Sequence, residues 1–153
     1  MNKTKNLPYS ESMNYWKTSR SSPDHWIEKT IKLIKKLSGR ILMEAFGKDA
    51  AGNSAYMLAF EIQGDRFKIV WPVLPSKTGD ESAARRQAAT FLYHDTKAKC
   101  ISATILGVRT VFFSHLLLPS GQVVSDLSPS DVLESIPSLF QPGQQLLSNG
   151  DVP

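Results

Sequence analysis

The chain has 153 residues, of which 41% are hydrophobic and 21% are charged. These proportions fit one globular domain with its own core and exclude a disordered chain. Cys100 is the only cysteine, which excludes an internal disulfide and a zinc site built from several cysteines. The apolar runs are too short to cross a bilayer, and the N-terminus lacks the apolar centre of a secretory signal. The sequence therefore favours a cytoplasmic protein without a membrane segment.

The net charge of +4 is unevenly distributed along the chain. Residues 1–40 carry nine Lys or Arg and three Asp or Glu, whereas residues 111–153 carry four acidic residues and no basic one. A basic first part predicts attraction to polyanions, and the acidic last third is expected to stay away from them and to recruit a protein partner. Ordinary surface charge that keeps the protein in solution is the alternative explanation.

The N-terminal region, residues 1–22, is polar and basic and is predicted to be a flexible arm. Its aromatic residues, among them Tyr15 and Trp16, suggest that part of the arm docks on the domain or on a partner. Ser22 then offers an N-cap for a helix that is expected to end at Gly39.

Three strands are predicted after this helix, over residues 40–47, 54–63 and 66–72. The second strand alternates, so that one face would carry Tyr56, Leu58, Phe60 and Ile62. Gly64 and Asp65 are predicted to form a two-residue hairpin turn before the third strand.

A long helix, a strand and a short helix complete the predicted elements, over residues 81–106, 108–118 and 129–136. Together the pattern predicts an α+β fold in which an antiparallel sheet of three to five strands packs against one long helix, with an N-terminal helix and a short C-terminal helix. Residues 23–140 would form this single domain, and residues 141–153 would be a flexible tail.

The long helix carries charges on more than one side. At 100° per residue, Arg86, Tyr93 and Lys97 fall within about 40° of one another, which predicts an outward basic stripe with a tyrosine in it. The opposite side consists mainly of small and apolar residues but also contains Asp95 and Lys99, four residues apart. This pair is either a structural ion pair or part of a site that meets a ligand, and the sequence leaves both open.

No arrangement typical of a catalytic or metal site is evident. His25, His94 and His115 fall on different predicted elements without metal-ligand spacing. His94 and Asp95 are sequence neighbours about 100° apart on a helix, so they cannot orient each other as a catalytic pair. The sequence therefore predicts a non-enzymatic protein without metal or cofactor. An enzyme that uses His94 or His115 as a base is the least favoured alternative.

Basic side chains and aromatic side chains together favour binding to nucleic acid, more specifically to single strands, because cations contact phosphates and rings stack on bases. The candidate contact residues are Lys32, Lys35, Lys36, Arg66, Lys68, Arg85, Arg86 and Lys97 for the backbone and Tyr15, Trp16 and Tyr93 for the bases.

A protein–protein interaction or assembly module is the alternative function, for example an inhibitor or accessory subunit of a mobile element. It would use the apolar strand 108–118 as an edge or as an oligomer surface. Formation of a homo-oligomer is compatible with either function.

The predicted order of one helix, three strands and a long helix resembles two families. The segment "PSKTGDESAARRQAA", residues 75–89, resembles the Ser-Lys, Ala-Arg and Ala-Ala elements of double-stranded-RNA-binding domains. Asp80 and Glu81 stand where that family has a tight Lys-Lys cluster, which argues against phosphate binding at this point. The element order is also similar to that of single-strand annealing proteins, which form rings, although no residue motif accompanies this similarity.

Overall fold

The computed structural model describes residues 6–128 and residue 130. Its helices are α1 (Pro23–Lys36), α2 (Glu81–Leu106) and α3 (Val108–Phe112), and its strands are β1 (Arg40–Lys48), β2 (Ser54–Ile62) and β3 (Asp65–Pro72). The α+β class is confirmed, as are the N-terminal helix, the antiparallel sheet, the long helix and a short helix after it. The helix predicted for residues 129–136 and the tail at residues 141–153 lie outside the described residues.

Helix α1 begins and ends as local chemistry dictates. The Ser22 side chain accepts a hydrogen bond of 3.2 Å from the backbone N–H of His25, and Pro23 occupies the first helical position. At the other end Ser38, not Gly39, takes the left-handed conformation, with φ of 61°. Gly39 is required for a different reason, since a Cβ there would lie 2.5 Å from Cγ2 of Ile34.

The sheet has the order β1-β2-β3 with both pairs antiparallel. The predicted alternation is confirmed, because the four residues of β2 expected on the core face are at most 6% exposed. The hairpin turn was placed one residue too late. Ile62 pairs with Asp65, and Gln63 and Gly64 form the turn with φ of 54° and 83°. Asp65 therefore belongs to β3, where its side chain is buried.

Helices α1 and α2 lie side by side and run in the same direction. The ring centroids of Trp26 and Tyr93 are 5.2 Å apart, and seven residues further along both helices the Cys100 thiol lies 4.0 Å from the carbonyl of Leu33. Small residues such as Ala88 on the core side of α2 are buried. They allow the helix to approach the sheet and the α1 side chains closely.

The strand predicted for residues 108–118 is wrong, because α3 and a 3₁₀ turn (Phe113–His115) occupy most of that segment. Phe112 is fully buried, and its ring packs against those of Phe60 and Phe67 at 5.6 and 5.7 Å. A short apolar run that is buried on several sides has the same pattern in a helix as in a strand. Only Leu116 and Leu117 make β-bridges, so this segment does not offer an apolar edge strand to a partner.

Residues 10–17 of the N-terminal arm pack against α2. The Gln87 side chain donates hydrogen bonds to the carbonyls of Ser10 (2.8 Å) and Asn14 (2.9 Å), and the Ser10 hydroxyl donates to Oε1 of Gln87. Glu11 accepts hydrogen bonds from the Ser76 hydroxyl and from the backbone N–H groups of Lys77 and Thr78. Desolvation raises the pKa of Glu11, but these hydrogen bonds outweigh it and lower the pKa to about 2.

Candidate nucleic-acid interface

A lysine lies over two aromatic rings where α1 and α2 meet. Nζ of Lys29 is 4.8 Å from the Trp26 ring centroid and 4.6 Å from that of Tyr93. Both distances are within the range of cation–π attraction, and all three residues remain partly exposed. The arrangement therefore presents two flat rings and a positive charge at one surface.

Exposed lysines continue this surface along the helix pair. Lys32 and Lys36 on α1 lie within about 60° of Lys29 around the helix axis, and Lys97 lies one turn after Tyr93 on α2. Within the described part of the chain, none of these four lysines has a carboxylate within 4.0 Å. We refer to Trp26, Lys29, Lys32, Lys36, Tyr93 and Lys97 as the lysine–aromatic face.

The docked arm adds further rings next to this face. The Tyr15 ring stacks on His94, with centroids 4.8 Å apart and planes at 10°, and His94 lies 5.9 Å from the Trp26 ring. Tyr15 and Lys17 have φ of 65° and 54°, a backbone conformation that residues other than glycine rarely adopt. Trp16 lies between them and is partly buried, with Lys17 Nζ 5.5 Å from its ring. Of the predicted base-stacking residues, Tyr15 and Tyr93 thus both contact the His94 ring.

Other predicted contact residues lie elsewhere. Arg66 and Lys68 alternate with the buried Phe67 and therefore point to the sheet face that is opposite the helices. Arg66 donates a hydrogen bond of 3.1 Å to Glu61. This bond is the main cause that lowers the pKa of Glu61. On α1, Lys35 lies about 120° away from Lys29 and does not join the lysine–aromatic face.

The two arginines of α2 are also separate from the lysines. The Arg85 guanidinium lies 4.2 Å from the Phe46 ring centroid, and it lines a cavity with two acidic residues, Asp24 and Glu81. Arg86 donates to the Ser82 hydroxyl at 2.9 Å, while its Nε is buried and has no hydrogen-bond partner among the described residues.

The basic stripe predicted for α2 does not face outward along its whole length. Thr90, which lies between Arg86 and Tyr93 on that stripe, is only 3% exposed. The helix is covered on more than one side because both α1 and the arm pack against it. The prediction of an outward stripe is therefore wrong for the N-terminal half of α2.

Asp95 and Lys99 form an ion pair with each other, at 2.5 Å between Oδ2 and Nζ. Nε2 of His115 lies 3.4 Å from the same Nζ. Burial lowers the pKa of His115, and the nearby Lys99 charge lowers it further. Asp95 and Lys99 are thus partners of each other, whereas the His94 ring stacks on Tyr15.

Sequence reasoning missed Trp26 and Lys29. Their spacing of three residues on α1 places them on neighbouring positions of one helix face, which was a usable signal. The position of Tyr93 beside them depends on how two helices pack, and no local pattern gives that information.

No group of three or more His, Cys, Asp or Glu side chains within residues 6–128 and 130 could hold a metal ion. Within the same part of the chain, no helix is both long and apolar enough to cross a membrane.

Comparisons of the chain with models of known protein families, with curated proteins and with solved structures find no match.

Proposed function

We propose that the protein binds single-stranded nucleic acid through the lysine–aromatic face and performs no chemistry on it. The observation that supports this most strongly is the position of Lys29 over both Trp26 and Tyr93, next to three exposed lysines that have no carboxylate partner among the described residues. Phosphates would contact the lysines, and exposed bases would stack on the rings, as single-strand recognition requires.

The start of α2 favours single strands over duplexes. The Asp80 side chain accepts a hydrogen bond of 3.0 Å from the backbone N–H of Ala83. A carboxylate therefore already occupies the end of the helix that would otherwise attract a phosphate. Glu81 follows it and lines a cavity together with Arg85 and Asp24. Two acidic residues, Asp80 and Glu81, therefore stand at the helix start where double-stranded-RNA-binding domains carry lysines.

The remaining parts of the proposal rest on the sequence. A cytoplasmic location, the absence of enzymatic activity and a homo-oligomeric state are predictions that accompany it. Recruitment of a protein partner through the acidic last third is a further prediction, and most of that region lies outside the described residues.

A protein-interaction module is the second candidate function. It is supported by exposed apolar side chains at the C-terminal end of α2, where Ile101, Ile105 and Leu106 are 59%, 79% and 62% exposed. Such residues are more typical of contact surfaces than of a helix end in water. If this function is the correct one, Ile105→Lys should abolish association with the partner.

The proposal is tested by fluorescence anisotropy with a labelled mixed-sequence single-stranded oligonucleotide. Duplex DNA, duplex RNA and heparin serve as competitors, and the titrations are repeated at several salt concentrations. Four phosphate contacts predict that the logarithm of the binding constant falls with a slope of about −3 against the logarithm of salt. Heparin, which has charge but no bases, should compete poorly.

A matched pair of variants tests the stacking contribution. Tyr93→Leu should weaken single-strand binding about tenfold, because one stacked base is lost. Phe113→Leu removes an exposed aromatic ring outside the lysine–aromatic face and should leave binding unchanged. Equal effects of the two variants, or heparin binding as tight as that of the oligonucleotide, would contradict the proposed function.

A further inference from the structure

Strand β1 is the open edge of the sheet. β2 lies on one side of it, and within the described residues no strand pairs with its other side. The opposite edge of the sheet is partly covered, because the backbone N–H of Leu117 donates to the carbonyl of Arg66 at 2.8 Å. Along β1, Met43 and Phe46 are 36% and 42% exposed. An exposed edge with apolar side chains is a template for pairing with another strand.

The hydrogen-bond pattern shows which residues of β1 present free backbone groups. The carbonyl of Ser54 in β2 accepts from Val73 at 2.7 Å, on the side away from β1. Lys48 pairs with Ser54, so the backbone N–H and C=O of Lys48 point away from β2. Because these directions alternate along a strand, Glu44 and Phe46 also present their backbone groups to the open edge.

The charges of Glu44 and Lys48 in one copy of β1 are complementary to those in a second copy. If two copies of β1 pair antiparallel with Phe46 opposite Phe46, Glu44 of each copy lies opposite Lys48 of the other. Centring the pair on Glu44 instead would place two carboxylates against each other. Centring it on Ala45 would place Glu44 opposite Phe46 and Lys48 opposite Leu42. Only the register centred on Phe46 satisfies both charges.

The rest of β1 agrees with this register. An irregularity between Ile41 and Met43 interrupts the ladder before Glu44, so regular pairing is confined to the segment from Glu44 to Lys48. Three directly opposed pairs there would supply six backbone hydrogen bonds. On the other face of the sheet Ala45 would lie opposite Gly47, and these small residues leave room for close approach.

We infer that the protein forms a symmetric dimer in which the β1 strands of two copies pair antiparallel about Phe46 and join two sheets into one of six strands. The interface is isologous, so each copy contributes the same segment, Glu44–Lys48. This inference is independent of nucleic-acid binding, because the lysine–aromatic face lies on the helices and not on this edge.

Sedimentation equilibrium of the full chain tests the dimer, with an expected mass of twice the 17.0 kDa of one chain. Glu44→Lys and Lys48→Glu each turn two attractive pairs into two repulsive ones. Each variant alone should therefore dimerise at least about tenfold more weakly. In an equimolar mixture of the two variants, lysines of one chain face glutamates of the other, so dimers should reappear as heterodimers.

Recovery in the mixture also shows that both variant chains are folded. Arg66→Glu, a charge reversal on the same sheet but away from the open edge, is the control and should remain dimeric. A wild-type protein that is monomeric at every concentration would overturn the inference. So would a dimer that persists in both single variants, or a mixture that stays as monomeric as its components.

Discussion

Arg109 on α3 donates two hydrogen bonds of 2.9 Å to Asp65 at the start of β3, from Nε to Oδ2 and from Nη2 to Oδ1. The two side chains are only 15% and 8% exposed. Two parallel charge-assisted hydrogen bonds are stronger than neutral ones, and here they hold the short helix against the sheet.

Arg109→Met should destabilise the fold by about 3 kcal/mol, because it leaves the Asp65 carboxylate buried without its partner. Urea unfolding followed by circular dichroism measures this loss. Arg40→Met is the matched control, since it removes an arginine of an ion pair whose side chain is 67% exposed. It should have little effect. Equal losses in the two variants would show that the buried pair has no special role.

Gln87→Ala should release the arm from α2. The variant removes the side chain that bonds Ser10 and Asn14, and it should lower the free energy of unfolding by about 2 kcal/mol. Chymotrypsin should then cleave faster near Tyr15 and Trp16, as seen by mass spectrometry. Thr104→Ala, on an exposed part of the same helix, should leave the cleavage rate unchanged. Unaltered cleavage in Gln87→Ala would mean that other contacts hold the arm.

Acid should weaken the contact between the arm and the loop around Ser76. The pKa of Glu11 is lowered from 4.5 to about 2 in the folded chain. The carboxylate therefore contributes stability above pH 4.5, and this contribution is lost as the pH falls from 4.5 toward 2. Glu11→Gln should reduce stability at neutral pH and flatten the pH dependence in that window. Glu28→Gln, an exposed acidic residue of α1, should keep the wild-type profile.

His115 should make the fold sensitive to mild acid. Burial and the Lys99 charge lower its pKa below 6.5, so the folded state favours the neutral ring. Its contribution to stability is present above pH 6.5 and is lost as the pH falls below that value. Thermal unfolding of wild type and His115→Gln across this range measures the difference. The variant should lose less stability on acidification than the wild type, whereas His25→Gln, at an exposed position, should behave like the wild type.

Local patterns predicted most of the fold. The cap at Ser22 and the alternation of β2 depend on neighbours in sequence, and each is found where it was expected. The segment 108–118 was misread because an apolar run that is buried on several sides has no distinguishing period.

The candidate site was predicted less completely than the fold. The exposed lysines of α1 and Lys97 follow from helical periodicity alone. The contact of Lys29 with Tyr93 does not, since these residues are 64 positions apart in sequence and meet only because two helices pack in parallel. Arg85 shows the same limit, because the acidic residue Asp24 that lines its cavity comes from another element.

The proposed function assigns nucleic-acid binding to the lysine–aromatic face of the helices and not to the sheet face that carries Arg66 and Lys68. Two double variants with the same change in net charge test it most directly: Lys32→Glu with Lys97→Glu on the helices, and Arg66→Glu with Lys68→Glu on the sheet. Anisotropy titrations with one single-stranded oligonucleotide should show at least about tenfold weaker binding for the helix variant and almost unchanged binding for the sheet variant. Equal weakening by both variants, or a larger effect of the sheet variant, would contradict the claim.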